Sequence, residues 1–552
     1  MTTRTRRPIR TLLAFVLVFL ITGGFASAFN AQAAYAATYT PISGSGSTWS
    51  KNALDQWRTN VTNNYGMTVN FNGTGSSAGR RDYIAGTVDY AVSEIPFQSK
   101  PEDGSVPEVP ARGYAYMPVV AGGTAFMYNL KIGGKQVTNL RLGGETITKI
   151  FTGVITNWND PQIAKDNPGL AMPNKPIVPV VRSDGSGSTA QFTLWMSKQF
   201  SGLWNAFCAT VGRPSPCGLT SQYPAFGNAK LQSGSDGVAG YVKQGYGEGA
   251  ITYVEYSYAI NAKFPVAKVL NSSGYYVEPT APSVAVGLLA AKINTTAGSA
   301  DYLTQILDGV YNSPDTRTYP LSSYSYMIVP TEVGGIFTAE KGRTLGAFTN
   351  YVLCEGQQQA SALGYSPLPM NLVLAGFDQI KRIPGADTSG VDINKCNNPT
   401  FKPGDSPSSN QLAVTAPQPA ACDKQGPDQC TTGTGGAPAA TPVSGSGAGG
   451  SAAGAAAGTA AGSAADAAAA AAAGGDAAAA GGDALYDENG VLLSGSSSLG
   501  GAVSSPFTLE EPGFGSTQLI MLFSGVLVVA AIVLPPVLSK RLKRAGGKNP
   551  GQ

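Results

Sequence analysis

A stretch of 80 residues that cannot build a core divides this chain. From Pro403 to Gly482, Pro, Ser, Gly and Ala dominate, with unbroken alanine at Ala467–Ala473 and Ala477–Ala480. Such a stretch has too few large apolar groups to offset the entropy of ordering it. Gly-Gly-Asp breaks at 474–476 and 481–483 limit any helix in the alanine runs. Residues 401–515 are therefore expected to form a flexible linker. As a coil of about 110 residues it spans roughly 50–60 Å. The foldable length shrinks to about 360 of the 552 residues, enough for two domains or one bilobed unit.

Both ends of the chain carry membrane signals. Arg4, Arg6, Arg7 and Arg10 precede an apolar run from Thr11 to Phe29, and Ala-x-Ala patterns follow at Ala31–Ala33 and Ala34–Ala36. This reads as a secretory signal peptide over 1–37, with an uncleaved anchor as the other reading. Near the opposite end, Pro512 to Ser539 contains no charge, and Lys540, Arg541, Lys543, Arg544 and Lys548 follow at once. A transmembrane helix over 516–539 and a basic cytoplasmic tail over 540–552 are expected, leaving the body outside.

Composition excludes several chemistries. The chain has no histidine, so a Ser-His-Asp triad, a His-ligated zinc and a c-type haem are ruled out. A net charge of +3 gives no field that would gather nucleic acid. Cys208, Cys217, Cys354, Cys396, Cys422 and Cys430 make an even set in an exported chain, which suggests disulfides. Six cysteines allow fifteen connectivities, and pairing of nearest neighbours is the expectation taken here. No cofactor and no metal is expected.

Between Thr38 and Thr400, strand-like runs (Met67–Phe71, Val88–Val92, Ala115–Ala121, Ile177–Val181) alternate with helix-like ones (Trp49–Asn60, Ala78–Ala85, Thr189–Lys198, Asp236–Lys243). Alternation of this kind indicates an α/β fold. Three turns before these helices share one design. They are Ser43-Gly44-Ser45-Gly46-Ser47-Thr48, Asn72-Gly73-Thr74-Gly75-Ser76-Ser77 and Arg182-Ser183-Asp184-Gly185-Ser186-Gly187-Ser188. A helix start presents unpaired N–H groups and partial positive charge. Glycine lets that backbone approach a ligand, and the hydroxyls add donors. One such turn is an ordinary cap; three aimed at one point make a site for a small tetrahedral oxyanion. Arg182 is the candidate anion clamp, with Asp184 holding its guanidinium. Glu94 ends a strand beside this site, and a carboxylate there makes sense if the ligand keeps a proton to donate. Phosphate does; sulfate does not.

These residues, in this order, resemble the phosphate-binding proteins that serve the high-affinity phosphate ABC importer. The likeness covers most of about 40–375. Its most specific stretch is Phe151–Pro161, running on through Asn167-Pro168-Gly169 to the Arg182 turn, and Gly234–Ala239, Gly249–Tyr256 and Tyr319-Pro320-Leu321 resemble the family as well. It implies a two-lobed, periplasmic-binding-protein-like clamp (type II). The first lobe takes 38–122 and 265–400, and the second takes 123–264. It implies ligand contacts from Thr48, Trp49, Ser76 and Glu94 on one lobe and from Arg182, Ser186, Gly187 and Ser188 on the other, with Asp184 in support. It also implies the permease subunits of the importer as partners, and no catalysis. Three positions depart from the pattern: Trp49 stands where Phe is usual, Ser188 where Thr is usual and Glu94 where Asp is usual. The resulting expectation is a membrane-anchored, extracytoplasmic receptor for inorganic phosphate. Its rivals are a receptor for another oxyanion, a surface-display protein with a vestigial cleft, and a phosphatase, which would need a base or metals the turns do not supply.

Overall fold

The computed structural model describes residues 39–296, 299, 301–302 and 304–441. The expected signal peptide, the remainder of the linker, the transmembrane helix and the basic tail lie outside the described residues. Among the described residues, no helix is long and apolar enough to cross a membrane.

The chain opens with strand β1 (Ile42–Gly46), helix α1 (Lys51–Tyr65), strand β2 (Val69–Asn72), helix α2 (Ser76–Ile84) and strand β3 (Tyr90–Ser93). Ala53, Leu54, Trp57 and Val61 of α1 are buried at helical spacing, and Gly66 ends the helix in the left-handed region at φ 67°. β1 pairs in parallel with β2 and β3, and α2 packs so close to β1 that a Cβ on Gly79 would fall 2.4 Å from the Gly46 Cα. Strand β4 (Tyr114–Tyr128) follows. Strand β5 (Val178–Arg182) leads into helix α3 (Gly187–Gln199), and strand β6 (Lys230–Gln232) into helix α4 (Gly234–Lys243). Strand β7 (Ala250–Glu255) runs into helix α5 (Tyr256–Ala262), followed by strand β8 (Val266–Leu270) and strand β9 (Ser322–Pro330). Helices α6 (Ala339–Leu353) and α7 (Met370–Ile380) complete this part of the chain.

One sheet runs through both halves in the order β2-β1-β3-β9-β4-β7-β5-β6. The long β4 joins them. Its Tyr114–Gly123 part pairs with β9, and its Thr124–Tyr128 part pairs with β7. The two largest cores follow this division. One gathers Trp57, Tyr90, Tyr326, Phe348 and Phe377; the other gathers Phe126, Phe151, Phe192, Trp204 and Tyr253.

The lobe boundaries differ from the sequence expectation. Ala267, Val269 and Val277, with Leu307, Val310, Tyr319 and Leu321, belong to the second core rather than the first. The reason is pairing: β8 lies against Phe126 and Met127 of β4 and against Arg141–Leu142.

The cysteines pair as Cys208–Cys217, Cys354–Cys396 and Cys422–Cys430. The last pair exposes a further difference. Residues 401–441, expected to start the flexible linker, are bound to the body. The Thr138 Oγ1 donates to the Ala439 carbonyl at 2.8 Å, and Arg317 donates to the carbonyls of Ala413 and Ala416. Lys268 pairs with Asp423 at 2.7 Å, and Arg141 donates to the carbonyls of Cys422 and Asp428. Small, polar side chains hid this segment from a reading based on apolar content. It is held largely through backbone carbonyls offered to Arg141 and Arg317, with the Lys268–Asp423 ion pair and the packing of Ala413 and Ala416 on Ala285 and Val286 beside them.

Candidate functional site

The first two serine–glycine turns meet at Glu94. The Ser47 hydroxyl, at the end of β1, donates to one carboxylate oxygen of Glu94. The Ser76 hydroxyl, at the first residue of α2, donates to the other at 2.6 Å. Glu94 is 1% exposed. Burial pushes its carboxyl above the ordinary carboxylate range, against the opposing pull of the Ser47 and Ser76 hydrogen bonds and the Arg182 charge.

The third turn closes on the same carboxylate from the other lobe. A Cβ on Gly187, the first residue of α3, would lie 1.9 Å from a Glu94 carboxylate oxygen and 2.8 Å from the Ser76 hydroxyl. Only glycine lets the start of α3 approach this closely. The neighbouring turns touch as well: the Ser77 N–H donates to the Gly185 carbonyl at 3.1 Å. Ser186 caps α3, its hydroxyl accepting from the Thr189 N–H at 3.2 Å. The Ser188 hydroxyl is buried without a hydrogen-bond partner.

Arg182 ends β5 and is buried. Its Nε donates to Asp184 at 2.6 Å, and Nη2 donates to the other oxygen of the same carboxylate. Asp184 also accepts from the Gly234 N–H at 2.9 Å, at the start of α4. Burial acts to raise the Asp184 carboxyl, but hydrogen bonding and charge from Arg182 win and hold it below its ordinary value. The remaining face of the guanidinium reaches the Ser235 hydroxyl at 3.4 Å. Ser235 in turn meets the Thr48 hydroxyl at 2.9 Å, across the two lobes. Thr48, Ser76, Glu94, Arg182, Ser186, Gly187 and Ser188 therefore form one buried constellation. Trp49 contributes differently. Its ring is buried edge-on against Tyr365 at 5.8 Å, and its carbonyl accepts from the Tyr365 hydroxyl at 2.6 Å. The group it can offer a ligand is its backbone N–H.

Three further residues complete the arrangement and were not singled out from sequence. Ser47, the residue before Thr48, holds Glu94. Ser235 links Arg182 to Thr48. The Tyr253 hydroxyl meets the Thr189 hydroxyl at 2.7 Å, stacking α3 onto β7. Gly234-Ser235-Asp236-Gly237 is a fourth serine–glycine helix start, and that shared design was the available signal for Ser235.

A family model described as a PBP superfamily domain matches residues 31–355. A phosphate-binding protein PstS from Xylella fastidiosa is 32% identical over 332 residues, covering 60% of this chain and 82% of its own length. The PstS of Haemophilus influenzae is 30% identical over 333 residues, covering 60% of this chain and 90% of its own. This chain belongs to the PstS-type phosphate-binding proteins. A solved high affinity periplasmic phosphate-binding protein, bound with phosphate, is 18% identical with a TM-score of 0.49, covering 66% of this chain and all of its own.

As a PstS-type chain, this one belongs to a family of substrate-binding transport proteins. Its constellation offers hydroxyls, helix-start N–H groups and a braced guanidinium as donors, with one carboxylate as acceptor. That set suits a tetrahedral anion carrying one proton. Both oxygens of Glu94 are held, one by the Ser47 hydroxyl and the other by the Ser76 hydroxyl.

Proposed function

We propose that this chain reversibly captures inorganic phosphate between its two lobes and delivers it to the permease subunits of a phosphate ABC importer. Thr48, Ser76, Arg182, Ser186 and Ser188, with backbone N–H groups of Trp49 and Gly187, surround the anion. Glu94 accepts the hydrogen bond from its P–OH. The observation that carries this reading is the contact of the Glu94 carboxylate with the glycine that starts α3. An acceptor lies where only donors would suit a fully deprotonated anion, and sulfate would leave it facing an unmatched oxygen. Closure removes the ligand from water, and opening returns it; no bond is made or broken. The relatives are phosphate-binding proteins by name, which supports the same ligand.

The body works outside the cell membrane in this reading, exported by residues 1–37 and held by the helix over 516–539. The tether between them keeps the local receptor concentration near the importer high. Calorimetric titration of the full chain with phosphate, sulfate and arsenate tests the ligand. Phosphate is expected to bind in the micromolar range or tighter, about −8 kcal/mol, with sulfate far weaker. No heat at millimolar phosphate refutes the proposal.

A further inference from the structure

The rim of the cleft carries a contact between the lobes that involves none of the anion's ligands. Residues 98–112 form a loop of the first lobe. Within it the Glu102 carboxylate accepts from the Leu219 N–H at 2.8 Å, and the Asp103 carboxylate accepts from the Thr220 hydroxyl at 2.7 Å. Leu219 and Thr220 belong to the second lobe, just beyond the Cys208–Cys217 disulfide. The fit is close: a Cβ on Gly218 would lie 1.2 Å from the Glu102 carboxylate. The Arg213 charge from the second lobe faces both acids.

Each side of this contact is wired to the anion site. On the second lobe, Thr220 exchanges hydrogen bonds with Thr193 of α3 at 2.9 and 3.0 Å. The Ser221 carbonyl accepts from the N–H of Ser186, the cap of the same helix, at 2.9 Å. On the first lobe, Glu108 anchors the loop by accepting twice from buried Arg80 of α2, at 2.6 and 3.1 Å. Arg80 also donates to Ser93, the residue before Glu94, at 2.9 Å, and to Ser77 at 3.2 Å. A cavity of about 500 Å³ lined by both lobes, including Ser77, Arg80 and Ser221, lies beside the loop.

We infer that Glu102 and Asp103 are positioning residues that latch the closed clamp and set the affinity and residence time of the anion without touching it. The inference rests on the phosphate-capture reading. If the anion is held only in the closed form, its apparent dissociation constant is the intrinsic one divided by the closed fraction. Loss of the latch lowers that fraction equally for every anion. Affinity falls, while the preference between anions, decided at Glu94, stays where it was.

Two variants test this from opposite lobes. Glu102→Ala with Asp103→Ala removes both acceptors, and Gly218→Ala expels Glu102 with a single methyl group. In titrations of the full chain each is expected to raise the phosphate Kd about tenfold, the loss of one or two partly exposed hydrogen bonds. Phosphate should dissociate correspondingly faster, and the phosphate-to-sulfate ratio should stay within twofold. Amide exchange, measured without phosphate, should lose protection at Leu219 in both variants. An unchanged Kd in both, or a shifted phosphate-to-sulfate ratio, overturns the latch. If the unmutated chain takes up no phosphate, the functional reading fails by itself. Exchange at Leu219 then decides the contact: loss of protection supports it, and unchanged protection overturns it.

Discussion

Replacing Glu94 by Gln separates a role in binding from a role in folding, because the two respond in opposite directions. The amide keeps the shape of the side chain. Its oxygen can accept from one of Ser47 and Ser76, and its NH₂ can donate to the other hydroxyl once that rotor turns. What it cannot do is offer a charged acceptor to a P–OH. A hydrogen bond to a charged group contributes about 1.5–3 kcal/mol, so the phosphate Kd should rise roughly 10- to 150-fold. Sulfate should gain, since its oxygens then face a donor. Stability moves the other way. Burial raises the folded-state pKa of Glu94 above its unfolded value. Such a group favours folding at pH below its unfolded pKa, and that contribution is lost as pH rises towards the folded value. At neutral pH the wild-type chain therefore carries a destabilisation that the neutral Gln lacks. The Glu94→Gln protein, free of phosphate, should melt at a temperature at or above wild type at pH 8, and the difference should close as pH falls to about 4. Competitive calorimetry with phosphate and sulfate, with thermal melts at both pH values, measures all of this. A phosphate-to-sulfate ratio unchanged within twofold would refute the assignment of Glu94 as proton acceptor.

Other sites give sharper losses. Arg182→Ala should reduce phosphate affinity by more than a hundredfold, because it removes the clamp and leaves Asp184 as an uncompensated, largely buried charge; titration by calorimetry with an outcome within tenfold of wild type contradicts the clamp role. Gly187→Ala should abolish measurable phosphate binding while the chain still melts cooperatively, since its methyl group would occupy the space of the Glu94 carboxylate. Limited proteolysis of the full chain should leave a resistant core that retains residues 401–441, read by mass; a core ending near 400 would contradict the packing of this segment. Replacing Cys422 and Cys430 by Ser should cost about 2–3 kcal/mol by loop entropy, seen in denaturant melts as a lower midpoint, and should make that segment cleavable.

The order of elements and most residues of the candidate site were legible locally in the chain. A serine–glycine turn before an amphipathic helix names both a helix start and a set of donors, because capping and anion binding draw on the same unpaired N–H groups. Arg182 and Asp184 are two residues apart, so their pairing needed little from the rest of the fold. Glu94 stood out because an acid at a strand end beside donors demands a proton-bearing partner. Residues joined through space were a different matter. Ser47 against Glu94, Ser235 between Arg182 and Thr48, and Glu102 against Leu219 are separated by 47 or more positions. No periodicity links such pairs; only the folding of both lobes about β4 does. The lobe boundary and the docking of 401–441 escaped for the same reason. Both depend on backbone pairing and on carbonyls offered to distant cations, and a carbonyl leaves no trace in the identity of the residue that bears it.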